Sequence, residues 1–409
     1  MITTKCDVAI IGGGPAGAIA ASLLANKGRK VQVFESQHFP RFSIGESLLP
    51  HCVEFLTEAG LYDAVAAHGF QFKDGAMFSR NGAFAAIDFR NKSAPGPATV
   101  YQVRRDQFDD ILIHGAMDKG AEVHFGAKVT AFDADADAAR LTVEAEDGTV
   151  SRVEASFVMD ASGFGRVLPR LLNLDKPSDM QKRRSCFRHI HDHIDHPAFD
   201  RDKILVTIHP DNPQVWLWLI PLADGMASIG AVGEDSVMEA AGDTPQARLD
   251  HFIASAGILA DILSHATEAR PTQEIIGFSR NVSSLTGNRF VLLGNAAEFL
   301  DPVFSSGVTI AMKSASLAAG LVERTLEGEI IDWEADFTQQ LKPGIEAFRA
   351  CVNAWYDGLL PRLIFFEDRN EDVTRHFTSI LAGYAWDQQN PIVREPKRFF
   401  KLMDTLIGA

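Results

Sequence analysis

Cysteine is scarce in this chain: four residues, Cys6, Cys52, Cys186 and Cys351, lie far apart with no Cys-x-x-Cys pair among 409 positions. That excludes a disulfide framework and the usual zinc-binding spacing, and it fits a reducing compartment, so the expected location is cytoplasmic. Long apolar runs are also missing. None reaches the ~18 to 20 residues of a membrane-spanning helix, and the N-terminus enters a short apolar stretch with no charged leader or cleavage site, the pattern of a chain that is neither inserted nor exported. Positive charge is in deficit, with 39 Lys and Arg against 54 Asp and Glu and a net charge of −15. Nucleic-acid affinity rests on neutralising phosphates, so that partner class is excluded and small molecules or proteins are favoured. There is no internal repeat, low-complexity tract or Pro/Ser-rich linker, and domain boundaries have to be read from changes of pattern.

What is present is a well-stocked interior, 46% hydrophobic, enough for two or three structural units. The chain opens with an apolar strand, Asp7–Ile11, then Gly12-Gly13-Gly14-Pro15-Ala16-Gly17, then an Ala/Leu-rich helical segment to about Lys27. A second strand, Val31–Phe34, ends on Glu35, completing a βαβ unit of the size that binds dinucleotides. Gly12 permits the tight turn, Gly14 lets the backbone approach a pyrophosphate, and Gly17 allows the helix to pack closely on the strand. The helix N-terminus offers free N–H groups to phosphate, and Glu35 can accept hydrogen bonds from a ribose.

Further along, Leu48–Ala59 reads as a helix, Gly75–Phe89 as a hairpin and Arg105–Met117 as a helix. Val123–Val153 reads as a small antiparallel meander and Phe157–Asp160 as a buried strand. Ser185–Val232 is strand-rich, with Lys203–His209, Val215–Ile220 and Met226–Val232 forming a separate antiparallel sheet. Phe290–Gly294 is a strand, Val308–Thr325 a helix, and the remainder mostly helical with a heavy aromatic load. His189, His191 and His193, with His196 nearby, would share one face of a strand; a polar sheet face or pocket lining explains them better than a metal, and no metal site is expected.

Two later segments narrow the nucleotide. Asp160-Ala161-Ser162-Gly163 and Gly294-Asn295-Ala296-Ala297 each follow a buried strand, and with the opening they resemble, in order, the three flavin segments of the para-hydroxybenzoate hydroxylase-like superfamily. The resemblance implies FAD, with Ala16, Arg41, Ile44, Arg105, Asn295 and Val308 joining Gly12, Gly14, Gly17 and Glu35 around it. Hydroxylases carry Gly-Asp where this chain has Gly294-Asn295. The expected fold is α/β: a Rossmann-like FAD-binding domain with an inserted antiparallel-sheet substrate domain and a helical C-terminal cap. Its boundaries are 1–75, 101–180 and 281–330 for the FAD-binding domain, 76–100 for a hairpin given to the substrate domain, 181–280 for that domain and 331–409 for the cap.

Three more segments resemble flavin-dependent halogenases. Trp216-Leu217-Trp218-Leu219-Ile220-Pro221 matches their Trp-x-Trp-x-Ile-Pro signature; alternation puts Trp216, Trp218 and Ile220 on one face, where with Pro221 they could separate flavin from substrate. The same row is also what an aromatic core strand looks like. Phe299–Gly307 matches Phe-x-x-Pro-x-x-Ser-x-Gly just before a helix, and the backbone N–H groups of Ser306 and Gly307 would hold chloride or bromide; related hydroxylases use such a turn for flavin alone. Lys73, downstream of Ile44-Gly45-Glu46-Ser47-Leu48-Leu49-Pro50, occupies the position of the family's active-site lysine. There it would donate a hydrogen bond to hypohalous acid or, as a neutral amine, form a haloamine. Halogenases of free tryptophan carry an acidic residue where this chain has Phe304, so the resemblance is to the phenol/pyrrole branch, with a small aromatic substrate that can be tethered to a carrier protein and reduced FAD supplied by a separate reductase. Rival expectations are a flavin-dependent reductase of the geranylgeranyl-reductase-like group, an aromatic monooxygenase, or a non-catalytic flavoprotein.

Overall fold

The computed structural model describes residues 2–367 and 370–408. Strand β1 (Ile2–Ile11), helix α1 (Pro15–Asn26) and strand β2 (Val31–Phe34) form a βαβ unit, with β1 and β2 parallel in the register Val8 to Val31. The sheet extends in parallel on both sides. Val150–Asp160 pairs with β1 and then with Phe290–Leu292, while Glu122–His124 pairs with β2. Such strands are buried on both faces and so read as unbroken apolar runs rather than alternating ones, as Val8, Ala9, Ile10 and Ile11 do. The helix Arg105–Asp118 packs against α1, and so does the long helix Ser306–Leu326.

The second sheet has eight strands. Arg183–His191, Met226–Glu234, Trp216–Pro221 and Lys203–Ile208 run antiparallel to their neighbours. The hairpin Gly75–Arg80 and Ala83–Asp88 joins this sheet, but through a parallel pairing with Lys203–Ile208, so the sheet is mixed rather than purely antiparallel. Its inner face carries Trp216, Trp218 and Ile220 into the main core, and its outer face carries Leu217 and Leu219 into a separate core under the helix Pro245–Ala254. Helices from Gln339 onward close over the molecule. The architecture is therefore a Rossmann-like α/β unit with an inserted, largely antiparallel sheet and a helical C-terminal region. Among the described residues no helix is long and apolar enough to cross a membrane.

Three local expectations need correction. The helix expected from Leu48 begins only at Cys52, because Ser47 is still bridged to Gln102 and Leu48 donates to the Tyr101 carbonyl, holding the chain extended up to Pro50. The strand at Val123 belongs to the parallel sheet, and the meander proper runs over Ala127–Ala134, Ala139–Ala145 and Val150–Asp160. The three histidines do not share a strand face: the strand ends at His191, His193 sits at φ +44°, and His189 is drawn to Glu46.

Candidate functional site

One cavity of about 370 Å³ runs along the carboxyl ends of the parallel strands, where ligands bind in open α/β sheets. Gly12, Gly14 and Ala16 line one end. Gly12 adopts φ +95° in the turn between β1 and α1, a conformation open mainly to glycine. Gly17 lies off the cavity; a Cβ there would stand 1.9 Å from the Gly12 carbonyl oxygen, so its role is close packing. Helix α1 has no side-chain cap, leaving its first N–H groups free. Glu35 is buried at the end of β2. Its carboxylate accepts from the Gly13 N–H at 2.8 Å and the Gln37 N–H at 2.9 Å, which locks the glycine turn to the strand and still leaves acceptor capacity toward the cavity.

Arg41, Ile44 and Arg105 line the same cavity. The Arg105 guanidinium donates to both oxygens of Asp109, at 2.7 and 2.9 Å, and to the Ile44 carbonyl at 2.7 Å. Arg41 also reaches Asp109, at 3.2 Å. The two arginines thus share one buried carboxylate, and Arg105 fixes the loop through the Ile44 and Gly45 carbonyls. Asp160, at the end of its buried strand, accepts from the Ser162 and Leu168 N–H groups, and burial raises its pKa. Arg166 ties the second and third segments together through the carbonyls of Asn295 and Ala297, at 3.3 and 3.1 Å. Sequence reasoning passed over Arg166, whose only signal was its place just beyond the Asp160-Ala161-Ser162-Gly163 turn.

At the other end, Asn295, Pro302, Ser305, Gly307 and Val308 line the cavity, opposite Trp216, Trp218 and Ile220. Ser305 adopts φ +53° and precedes the first turn of the helix Ser306–Leu326. Of the two residues whose backbone N–H groups were expected to hold halide, Gly307 lines the cavity and the Ser306 side chain is buried beside it, while Ser305, at the left-handed turn, adds its side chain to the wall. Pro221 is off the wall, at the end of its strand opposite Ala227.

Lys73 is 1% exposed, which removes the reading of a solvated surface charge. Its ammonium donates to Ser47 Oγ at 2.8 Å and the Leu48 carbonyl at 2.7 Å, and stands 5.3 Å from the centre of the Phe89 ring. Desolvation by burial pulls its pKa from 10.5 to about 7. It is not on the cavity wall. Ser47 is, so Lys73 lies one hydrogen bond behind it. Next to Ser47, Glu46 is buried and meets His189 Nε2 at 2.6 Å, pinning the same loop to the second sheet.

An elongated cavity with an uncapped helix N-terminus and a ribose-directed carboxylate at one end, and an apolar wall facing a turn at the other, fits FAD along its length. The comparisons agree. The FAD binding domain family matches residues 5–333. The 1H-pyrrole-2-carbonyl-(peptidyl-carrier protein) chlorinase of Pseudomonas fluorescens is 31% identical over 381 residues, 86% of this chain and 82% of that protein. Among solved structures, a flavoprotein/dehydrogenase from Cytophaga hutchinsonii superposes with a TM-score of 0.96 at 41% identity, covering 99% of both chains. The myxobacterial chondrochloren halogenase CndH follows at a TM-score of 0.79 and 26% identity, covering 98% of this chain and 96% of its own. The match across the FAD-binding domain and the chlorinase relative show that this chain is an FAD-dependent enzyme and belongs to the flavin-dependent halogenases.

Proposed function

We propose that this enzyme halogenates an electron-rich aromatic ring, a pyrrole or a phenol, with Lys73 directing the electrophile. The observation that carries the reading is Lys73 itself, sealed from solvent yet hydrogen-bonded to Ser47 in the wall of the flavin cavity. FAD, when bound and reduced by a separate reductase, would supply two electrons and two protons, which with oxygen, halide and one further proton yield hypohalous acid and water. The chain's residues do the rest. Trp216, Trp218 and Ile220 close one side of the cavity with apolar surface and keep a bulky aromatic away from the flavin. The turn at Ser305, opening a long helix, leaves the N–H groups of Ser306 and Gly307 for chloride or bromide. A lysine with a pKa near 7 exists in both forms at neutral pH: the ammonium donates to hypohalous acid, and the amine exchanges a proton for halogen with release of water. The ring then takes the halogen and loses a proton. Phe304 stands where tryptophan-specific relatives carry an acid, which supports a ring reactive enough to do without one; the P. fluorescens chlorinase is named for a pyrrole held on a peptidyl-carrier protein, and a tethered substrate is proposed here on that likeness.

The test is mass spectrometry of reactions containing the protein, FAD, a flavin reductase, NADH, oxygen and bromide, with free and carrier-tethered pyrroles and phenols. A product with bromine's paired isotope pattern, lost in Lys73→Ala while FAD stays bound, is the expected result. A second reading rests on the C. hutchinsonii flavoprotein/dehydrogenase, whose identity to this chain is higher than the chlorinase's. A product differing from its substrate by two hydrogens, without halogen, would replace halogenation by that reading.

A further inference from the structure

The candidate halide turn and the aromatic wall come from opposite parts of the chain, yet a single side chain from the C-terminal helical region bridges them. Tyr356 ends the helix Gln339–Tyr356, beyond the last residue matched by the FAD binding domain family. Its hydroxyl accepts the indole N–H of Trp216 at 3.0 Å and donates to Asp301 Oδ2 at 2.9 Å. The other oxygen of Asp301 accepts the Val303 N–H at 3.0 Å and so caps the turn Pro302–Phe304. Trp216, Pro302, Ser305 and Gly307 all reach the cavity, whereas Asp301 is 2% exposed and forms the layer behind them.

The bridge is held from its own side as well. The Arg183 guanidinium lies 3.3 Å from the centre of the Tyr356 ring, and Gln214 donates to the Tyr356 carbonyl at 2.9 Å. A guanidinium stacked on the ring places positive charge beside a hydroxyl that donates to a carboxylate, which favours the ionised Asp301 that both bonds need. Burial works the other way and pushes the Asp301 carboxyl up to about 6, so the group depends on these partners.

We propose that Tyr356 and Asp301 are positioning residues that lock the indole of Trp216 to the turn Pro302–Gly307, so that the apolar wall and the halide turn keep one fixed separation across the flavin cavity. The proposal rests on the halogenase reading only for the word halide; the locking of Trp216 beside the flavin stands apart from it.

The experiment uses FAD-loaded protein and the variants Tyr356→Phe, Asp301→Asn and Asp301→Ala. FAD stoichiometry and the visible circular dichroism of bound flavin are recorded before any turnover, since that signal reads how an indole is placed against the ring system. Tyr356→Phe is expected to keep full FAD and to change the dichroism. Under turnover it is expected to raise the KM for bromide about tenfold, the loss of roughly one buried hydrogen bond, with kcat changed much less. Asp301→Asn keeps an acceptor for Val303 and a polar group against Tyr356 and should fall between the wild type and Asp301→Ala, which loses both. A Tyr356→Phe variant with wild-type dichroism and wild-type bromide KM overturns the proposal, as does a uniform loss of kcat in all three variants at unchanged KM. If wild-type protein gives no bromide-dependent product, the halogenase reading falls, and the dichroism of the same variants still decides whether Tyr356 positions Trp216.

Discussion

Replacing Lys73 by Met tests whether burial has depressed that lysine, and the size of the effect follows from the pKa. An unfolded chain holds the proton up to 10.5, the folded one only to about 7. At about 1.36 kcal/mol per tenfold, keeping Lys73 charged inside the fold costs roughly 5 kcal/mol at pH 6, where both states are protonated. Between pH 7 and 10.5 the unfolded state binds more protons than the folded one, so stability rises with pH and the penalty shrinks to about 2 kcal/mol at pH 9. Lys73→Met removes the penalty and also strands the Ser47 hydroxyl and the Leu48 carbonyl, a cost of about 1 to 3 kcal/mol that has no pH dependence. The absolute difference between the proteins therefore decides little, and its slope decides the matter. Urea unfolding at fixed saturating FAD should show the variant's stability relative to wild type falling by about 3 kcal/mol from pH 6 to pH 9. A difference that stays constant across that range would mean that Lys73 titrates as a solvated lysine, and the argument for an amine at neutral pH would go with it.

Other outcomes follow from the same geometry. Gly17→Ala should purify without flavin, judged by visible absorbance, because its Cβ would press on the Gly12 carbonyl oxygen at 1.9 Å and lift α1 off β1. Glu35→Ala should weaken FAD binding to the apoprotein at least tenfold in a fluorescence titration, since it frees the Gly13 and Gln37 N–H groups as well as removing the ribose acceptor. All four cysteines are buried, and burial raises the thiol pKa of Cys6 to about 12 and of Cys186 to about 11. None of the four should react with a thiol reagent at pH 8 before unfolding, and all four should afterwards; one fast native thiol would refute the packing around it.

The parallel strands and the glycine turn were legible because each is a local pattern with a local cause: an apolar run buried on both faces, a glycine where only glycine can turn, and a carboxylate one strand later. The alternation of Trp216, Trp218 and Ile220 likewise showed which side chains face the cavity, and the same alternation puts Pro221 on the other face, in line with Leu217 and Leu219. Errors came where a distant partner decides. Leu48 and Leu49 have helical neighbours on one side, but Gln102 and Tyr101 hold the chain extended. The left-handed turn at Ser305 was not legible, since a serine at φ +53° leaves no mark in composition. Tyr356 and Asp301 are 55 positions apart, and nothing in either neighbourhood announces their hydrogen bond.

Part of the aromatic load of the C-terminal region, conspicuous in the sequence, fastens the segment that follows the Lys73 acceptors Ser47 and Leu48. Tyr384 stacks on His51 at 4.6 Å and donates to the Pro97 carbonyl at 2.9 Å. His51 in turn meets the Gly383 carbonyl at 2.9 Å through its ring, and its backbone N–H donates to the Ala382 carbonyl. These contacts clamp the stretch that follows Leu48, whose carbonyl is one of the two acceptors of Lys73. The segment that carries one of the two Lys73 acceptors is therefore held partly by residues that lie more than 300 positions downstream. The position of that segment depends on how the C-terminal helices sit, and so does the placement of Trp216 through Tyr356. A chain cut after the matched FAD-binding domain would keep the glycine turn, Glu35 and Lys73 in sequence while losing the contacts that clamp the stretch after Leu48 and the Tyr356 hydroxyl that accepts from Trp216.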